Sequence, residues 1–211
     1  MSGKLSELGG VAEPSFVHGQ YSFKRDDCAL INAGGAATKA YIGRIRSITA
    51  KGGADNVKIQ IAWFYRPEET KSGRQAFHGE KEVFQSDHLD WCHKNAIIGK
   101  CRVLTLEGYQ NLTAIGENDF YCRFFYSPSS GEFSPDDVPV FCLCEMPYNP
   151  DRVMIACDKC DEWFHPECLG LSKGEVDQVV RSSQPFVCPQ CVAQLAPETE
   201  EANDRFTSLE R

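Results

Sequence analysis

No run of apolar residues in this 211-residue chain is long enough to cross a membrane. Met1–Gly10 has no apolar centre of the kind a secretory signal peptide carries. The sequence also lacks a glycine-rich phosphate loop, an internal repeat and a serine–histidine–aspartate order suggestive of a hydrolytic triad. Basic runs are missing from both ends, so no nuclear-localisation address is legible. These absences point away from membrane proteins, nucleotide phosphate binders and triad hydrolases. They lead to the expectation of an intracellular, reduced, non-enzymatic protein.

Positive charge is also in short supply where it would matter for nucleic acid. Of the net −8, residues 1–140 carry −1, residues 141–192 carry −4 and residues 193–211 carry −3. DNA affinity comes largely from Lys and Arg neutralising phosphates, so sequence-specific DNA binding is not expected. An acidic small domain suits a basic partner, such as a Lys/Arg-rich peptide.

Residues 1–20 are rich in Gly and Ser, with little periodicity, and read as a flexible lead-in. From Tyr21 the pattern becomes β. Cys28–Ile31 reads as a strand, and Tyr41–Ile48 as a strand with imperfect alternation. In Val57–Tyr65 the residues Val57, Ile59, Ile61, Trp63 and Tyr65 share one face at period 2. Short strands are expected at Glu82–Phe84, Ile97–Ile98, Cys101–Leu106 and Phe120–Tyr126. Gly, Pro and Asn punctuation between them predicts a small all-β barrel or sandwich over residues 21–138. Gly174–Arg181 suggests one or two helical turns, and residues 193–211 an exposed acidic tail that starts as a short helix.

What the chain has in abundance is cysteine, eleven in all. Seven of them and one histidine form the pattern C-x-C-x₁₂-C-x₂-C-x₄-H-x₂-C-x₁₉-C-x₂-C from Cys142 to Cys191. Thiolate and imidazole are the ligands of tetrahedral structural zinc, and eight fill two four-coordinate sites with no position left for water. A cross-brace would place Cys142, Cys144, His165 and Cys168 on one zinc, and Cys157, Cys160, Cys188 and Cys191 on the other. Residues 139–192 are near the size at which metal must substitute for core. Cys28, Cys92, Cys101 and Cys122 lie outside the pattern and read as core thiols. His18, His78 and His93 read as surface or structural.

The ligand order, with Trp163-Phe164-His165 and an H-x₂-C pair, resembles a PHD finger rather than a RING finger, whose histidine sits in a C-x-H pair. PHD fingers commonly bind the N-terminal tail of histone H3 as an added strand. Those that read trimethyl-lysine enclose it in aromatic faces. The resemblance places such a cage at Phe141, Tyr148, Met154 and Trp163. It implies that Asp158 or Asp161 meets the arginine next to the H3 terminus, though either could equally be a solvated acid. The backbone near Gln184-Pro185 would meet the peptide's free ammonium.

Several N-terminal stretches resemble a BAH domain: Tyr41-Ile42-Gly43-Arg44-Ile45, Ile61–Glu69, Phe77–Phe84, Ser86-Asp87-His88, Gly99–Val103 and Asp119–Phe124. With the finger directly behind, the chain over about residues 22–192 resembles the plant BAH–PHD histone readers of the Short Life and Early Bolting in Short Days type. That family's second methyl-lysine cage falls here on Tyr41, Trp63 and Tyr65. Glu69 and Asp87 could rim it, and His88 could contact peptide or be a structural histidine. Two departures from the family's usual pattern stand out, Phe64 in place of tyrosine and Gly43 in place of alanine; neither removes a cage wall.

The resemblance implies a nuclear chromatin reader acting in transcriptional regulation, with two structural zinc ions and the H3 tail and a co-regulator complex as partners. Its PHD finger would take trimethylated lysine 4 and its BAH domain trimethylated lysine 27. Two rivals remain open: a RING-like ubiquitin ligase, and an adaptor whose BAH domain binds a non-histone protein.

Overall fold

The computed structural model describes residues 14–32, 34, 39–50, 56–182 and 185–195. The first thirteen residues of the expected lead-in, most of the acidic tail and Gln184 lie outside the described residues. Contacts fall into two units, Met1–Val138 and Pro139–Arg211.

The first unit is built from β1 (Ser15–His18), β2 (Tyr21–Lys24), β3 (Cys28–Ile31), β4 (Tyr41–Ala50), β5 (Val57–Tyr65), β6 (Phe84–His93), β7 (Ile97–Leu104), a short helix α1 (Leu106–Gln110), β8 (Asp119–Tyr121), β9 (Phe125–Tyr126) and β10 (Phe133–Ser134). β1 and β2 pair as a hairpin. The others form one sheet in the order β10-β9-β6-β5-β4-β3-β7-β8. Pairing is antiparallel except between β6 and β9 and between β7 and β8. The sheet curls, and a bridge from Glu82 to Tyr121 of β8 ties that far strand back to the segment leading into β6.

The alternation of β5 explains one core. Val57, Ile59 and Ile61 pack with Ala29, Ile31, Ile45 and Ile97. Phe16 and Phe23 of the hairpin close this core, with ring centroids 5.4 Å apart. Residues 15–18 are therefore not a flexible lead-in: Phe16 has a core to enter, and His18 Nε2 lies 3.1 Å from the Ile97 carbonyl. From Ala62 the other face of β5 is covered as well. Phe64 joins Cys28, Ile42, Val83 and Cys101 in a second core. Each large side chain so buried contributes about 1.5–3 kcal/mol.

The four cysteines outside the pattern are free thiols packed against these cores. Burial raises the pKa of all four, Cys92 to about 11. Glu82, fully buried, accepts from Arg123 Nε at 2.7 Å and from the Tyr121 hydroxyl at 3.2 Å.

In the second unit, β11 (Val140–Phe141) pairs with β12 (Met146–Pro147), and β13 (Ile155–Ala156) with β14 (Trp163–Phe164). Helices α2 (Lys173–Arg181) and α3 (Pro189–Leu195) follow. α2 begins on a capping box in which Ser172 and Glu175 satisfy each other's backbone N–H. Among the described residues of this unit, the buried apolar side chains are Ile155, Phe164 and Pro166 and the cysteines Cys157, Cys188 and Cys191. A core that small cannot hold a fold by apolar burial alone.

Candidate aromatic cavity and metal centres

β5 carries Trp63 and Tyr65 past the end of its core face, and Tyr41 opens the neighbouring strand β4. The Tyr41 and Trp63 rings meet edge to face, with centroids 5.9 Å apart and planes at 72°. With Phe64, Glu69, His88 and Asp90 they line a cavity of about 400 Å³. That volume falls in the range of small-ligand sites.

Backbone devices hold each wall. Gly43 lies opposite Trp63 in the β4–β5 register. A Cβ on Gly43 would run into Ile61 Cγ2 and lie 3.6 Å from the Trp63 ring, so the bare glycine admits the close approach. Beyond Trp63, three β6 residues, Ser86 to His88, stand where β5 offers one, because Gln85 pairs with Phe64 and Leu89 with Ala62. Ser86 pins this bulge by donating to the Trp63 carbonyl at 2.7 Å and accepting from the His88 N–H at 3.2 Å. The bulge turns His88 toward the aromatic rings, where its Nδ1 lies 2.7 Å from the Tyr65 hydroxyl. Burial, then the nearby Tyr126, Glu69 and Asp87, raises the Tyr65 pKa, so the phenol is neutral near pH 7.

Glu69 ends a single 3-10 turn, Pro67–Glu69, and accepts from the Arg66 N–H at 2.7 Å. Arg66 in turn donates to the Ala40 carbonyl at 2.6 Å, just ahead of Tyr41. This brace ties the end of β5 to the start of β4. Asp87 does not line the aromatic cavity. It lines a neighbouring one of about 230 Å³ with Arg44, Arg46 and Leu89. Asp90 takes the place expected of it: by alternation Asp87 faces the other side of β6, and the two extra residues of the bulge bring Asp90 opposite Ile61, on the face of Trp63.

In the second unit the eight expected metal ligands come together in two groups, Cys142, Cys144, His165 and Cys168, and Cys157, Cys160, Cys188 and Cys191. Within each group the donor atoms lie within 4.8 Å of one another. His165 Nδ1 is 3.4 Å from Cys144 Sγ. The His165 and Cys188 backbone N–H groups donate to Cys142 and Cys157 sulfur, each at 3.3 Å. Left-handed residues Cys142, Glu145 and Asp161 tighten the knuckles.

Burial alone would raise the Cys157 thiol, but the N–H groups of Cys188, Lys159 and Cys160 outweigh it and bring the pKa to about 6. Burial and the neighbouring thiols push Cys191 up to about 12. Four sulfurs this close cannot all ionise unless a cation sits among them. The donor set suits zinc, and four ligands per group leave no open position.

The four residues expected to form the PHD cage lie on or beside the two hairpins. Phe141 of β11 stands opposite Met146, and Trp163 of β14 opposite Ala156. Tyr148 follows β12 and Met154 precedes β13. Trp163 is exposed, and the other three are half-buried. Asp158 anchors a neighbouring loop by exchanging two bonds with Phe186, accepting through Oδ2 at 2.6 Å and donating its own N–H at 2.9 Å. This holds the segment at Pro185 beside a cavity of about 410 Å³ lined also by Ile155 and Val179. Asp161 sits in the knuckle turn, its N–H donating to the Cys157 carbonyl at 2.9 Å.

The BAH domain family matches residues 21–137, and a UBR7-like PHD finger matches residues 138–197. The Arabidopsis thaliana chromatin remodeling protein SHL is 41% identical over 84% of this chain and 76% of its own length. The chain belongs to this BAH–PHD family of chromatin proteins. Arabidopsis thaliana chromatin remodeling protein EBS is likewise 41% identical, over 86% of this chain and 75% of its own length. The solved BAH domain of yeast Rsc2 aligns with 57% of this chain and 52% of its own, at 23% identity and a TM-score of 0.47. The BAH unit carries the aromatic cavity, and in the PHD unit the metal groups set the frame. Asp90 is not legible as a cavity residue in the sequence, because no strand is read beyond Phe84 there, and nothing in the pattern reveals the two extra residues that bring Asp90 opposite Ile61.

Proposed function

We propose that this chain is a nuclear, non-enzymatic chromatin reader that takes up methylated lysines of histone H3. The observation that carries the reading is the cavity walled by Tyr41, Trp63 and Tyr65, with two carboxylates and no lysine or arginine among its lining residues. Three ring faces attract a quaternary ammonium, and cation–π attraction there is worth about 2 kcal/mol or more once water is excluded. Glu69 and Asp90 supply long-range attraction without needing to donate or accept a hydrogen bond. The BAH unit, residues 21–138, takes trimethylated lysine 27.

The PHD unit, residues 139–192, is held by two zinc ions on the ligand groups above and takes trimethylated lysine 4 between Phe141, Tyr148, Met154 and Trp163. When bound, zinc keeps the thiolates ionised and ties both ends of the segment together. The chain's own residues do the recognising. Recruitment of a co-regulator complex follows from engagement of the tail.

Titration with H3 peptides tests this. Trp163→Ala should weaken lysine 4 peptide binding by at least about tenfold, in line with the loss of one desolvated cation–π wall, and spare the lysine 27 peptide. Trp63→Ala should do the reverse. Wild-type affinity of both variants for both peptides would sink the two-site assignment.

A further inference from the structure

The aromatic cavity adjoins an unusual stretch of sheet. β6 pairs with β9 only at Gln85 and Ser86. From Asp87 to His93 it has β5 on one side and, among the described residues, no strand on the other. That open edge carries two large apolar side chains, Leu89 and Trp91, both about half exposed. Long apolar edges invite pairing with another chain.

The direction of the edge's polar groups can be read from one bond. The Trp91 N–H donates not to β5 but to Asp90 Oδ1, at 2.7 Å. In an antiparallel ladder alternate residues bond the same neighbour, so Leu89, Trp91 and His93 turn their main-chain groups outward. Asp90 pairs with Ile61, whose side chain lies in the first core, so its carboxylate belongs to the cavity side of the sheet. Asp90 thus belongs to two places at once. It lines the aromatic cavity, and it covers the outward N–H of the next residue.

We propose that Asp90 couples the two: a methyl-lysine cation entering the cavity draws the carboxylate from the Trp91 N–H, and the uncovered edge Leu89–His93 then pairs with the backbone of the same extended peptide. The occupant is a cationic, extended methyl-lysine peptide, and this rests on the cavity assignment made above. Charge argues for it, since Glu69 and Asp90 face the cavity and Asp87 begins the open edge. Strand geometry argues for it too. Side chains of an added strand alternate between faces. A lysine directed at the rings puts its two neighbours over Leu89, Ala62 and the Arg44–Arg46 cavity on the other face. In the free protein Asp90 guards the edge against indiscriminate pairing, so the edge opens only for a chain that brings the right cation.

The test is amide hydrogen exchange read by NMR on the full chain. Acetyl-trimethyl-lysine amide, a cation with almost no flanking backbone, should lower protection of the Trp91 amide. An H3 peptide centred on trimethylated lysine 27 should instead raise protection at Leu89 and Trp91 by at least about tenfold, as paired amides are protected. Asp90→Ala, an exposed substitution, should lower Trp91 protection in the free protein and abolish the response to the small cation. Peptides N-methylated at single backbone positions should lose affinity at alternate positions only.

If the peptide binds through Trp63 while Trp91 exchange stays unchanged, or if N-methylation weakens binding at every position alike, edge pairing is overturned and the cavity assignment survives. An unaltered Trp91 amide in Asp90→Ala overturns the coupling. Peptide binding indifferent to Trp63→Ala overturns the cavity assignment itself, and this inference with it.

Discussion

Gly43 carries a constraint out of proportion to its size. It sits under Trp63, and its missing Cβ is what lets β4 approach Ile61. Gly43→Ala forces Ile61, which has no room to retreat in the core, and should cost about 1–3 kcal/mol, as overpacking does. A drop in the urea midpoint with unchanged slope is the expected record. His78 is a second residue with a measurable signature. It is buried and accepts from the Gln75 N–H. Burial, followed by the Arg123 and Arg74 charges, lowers its pKa from 6.5 to about 4. The unfolded chain therefore takes up this proton first as pH falls. The stabilisation from a neutral His78 is complete above about pH 6.5, declines below it and is gone below about pH 4. His78→Gln should flatten the pH dependence of unfolding in that window, whatever it does to stability at pH 7.

Elements divide into those legible in the sequence and those it conceals. β5 is plain because Val57, Ile59 and Ile61 alternate with Lys58 and Gln60. β1 hides at the end of a Gly/Ser-rich stretch, where a single buried Phe16 is too little periodicity to see. The pattern predicts a strand only at Glu82–Phe84, but β6 runs from Phe84 to His93. Its polar Ser86, Asp87, His88 and Asp90 mask a strand that is exposed along one edge, and alternation along that strand puts Asp90 rather than Asp87 on the cavity face. The metal ligands, by contrast, are legible because spacing alone pairs them. A strong chelator tests their weight. It should unfold residues 139–192, whose core is largely sulfur, and leave the sheet of the first unit intact, since both donor groups lie beyond Val138. Circular dichroism with limited proteolysis would show the loss, and a cooperative collapse of both units would contradict it.

At the scale of the whole chain, the proposed pair of binding units on one polypeptide changes the arithmetic of affinity. An H3 peptide carrying both marks should form a one-to-one complex and bind more than about tenfold tighter than either singly marked peptide, because the second contact becomes intramolecular. Calorimetric stoichiometry reads the outcome; two peptides bound per chain, each at single-mark affinity, would mean that the sites take separate tails. Strand order also has a consequence in time. β3 lies between β4 and β7, with Cys28 opposite both Arg44 and Cys101. As the chain leaves the ribosome, β3 to β6 zip up through near neighbours, whereas the far side of β3 waits until residue 101 emerges. Every wall of the aromatic cavity, from Tyr41 to Asp90, belongs to the part that can assemble early. The nascent protein thus completes its aromatic cavity while β3 still lacks one neighbour, and before the cysteine-rich unit has been made.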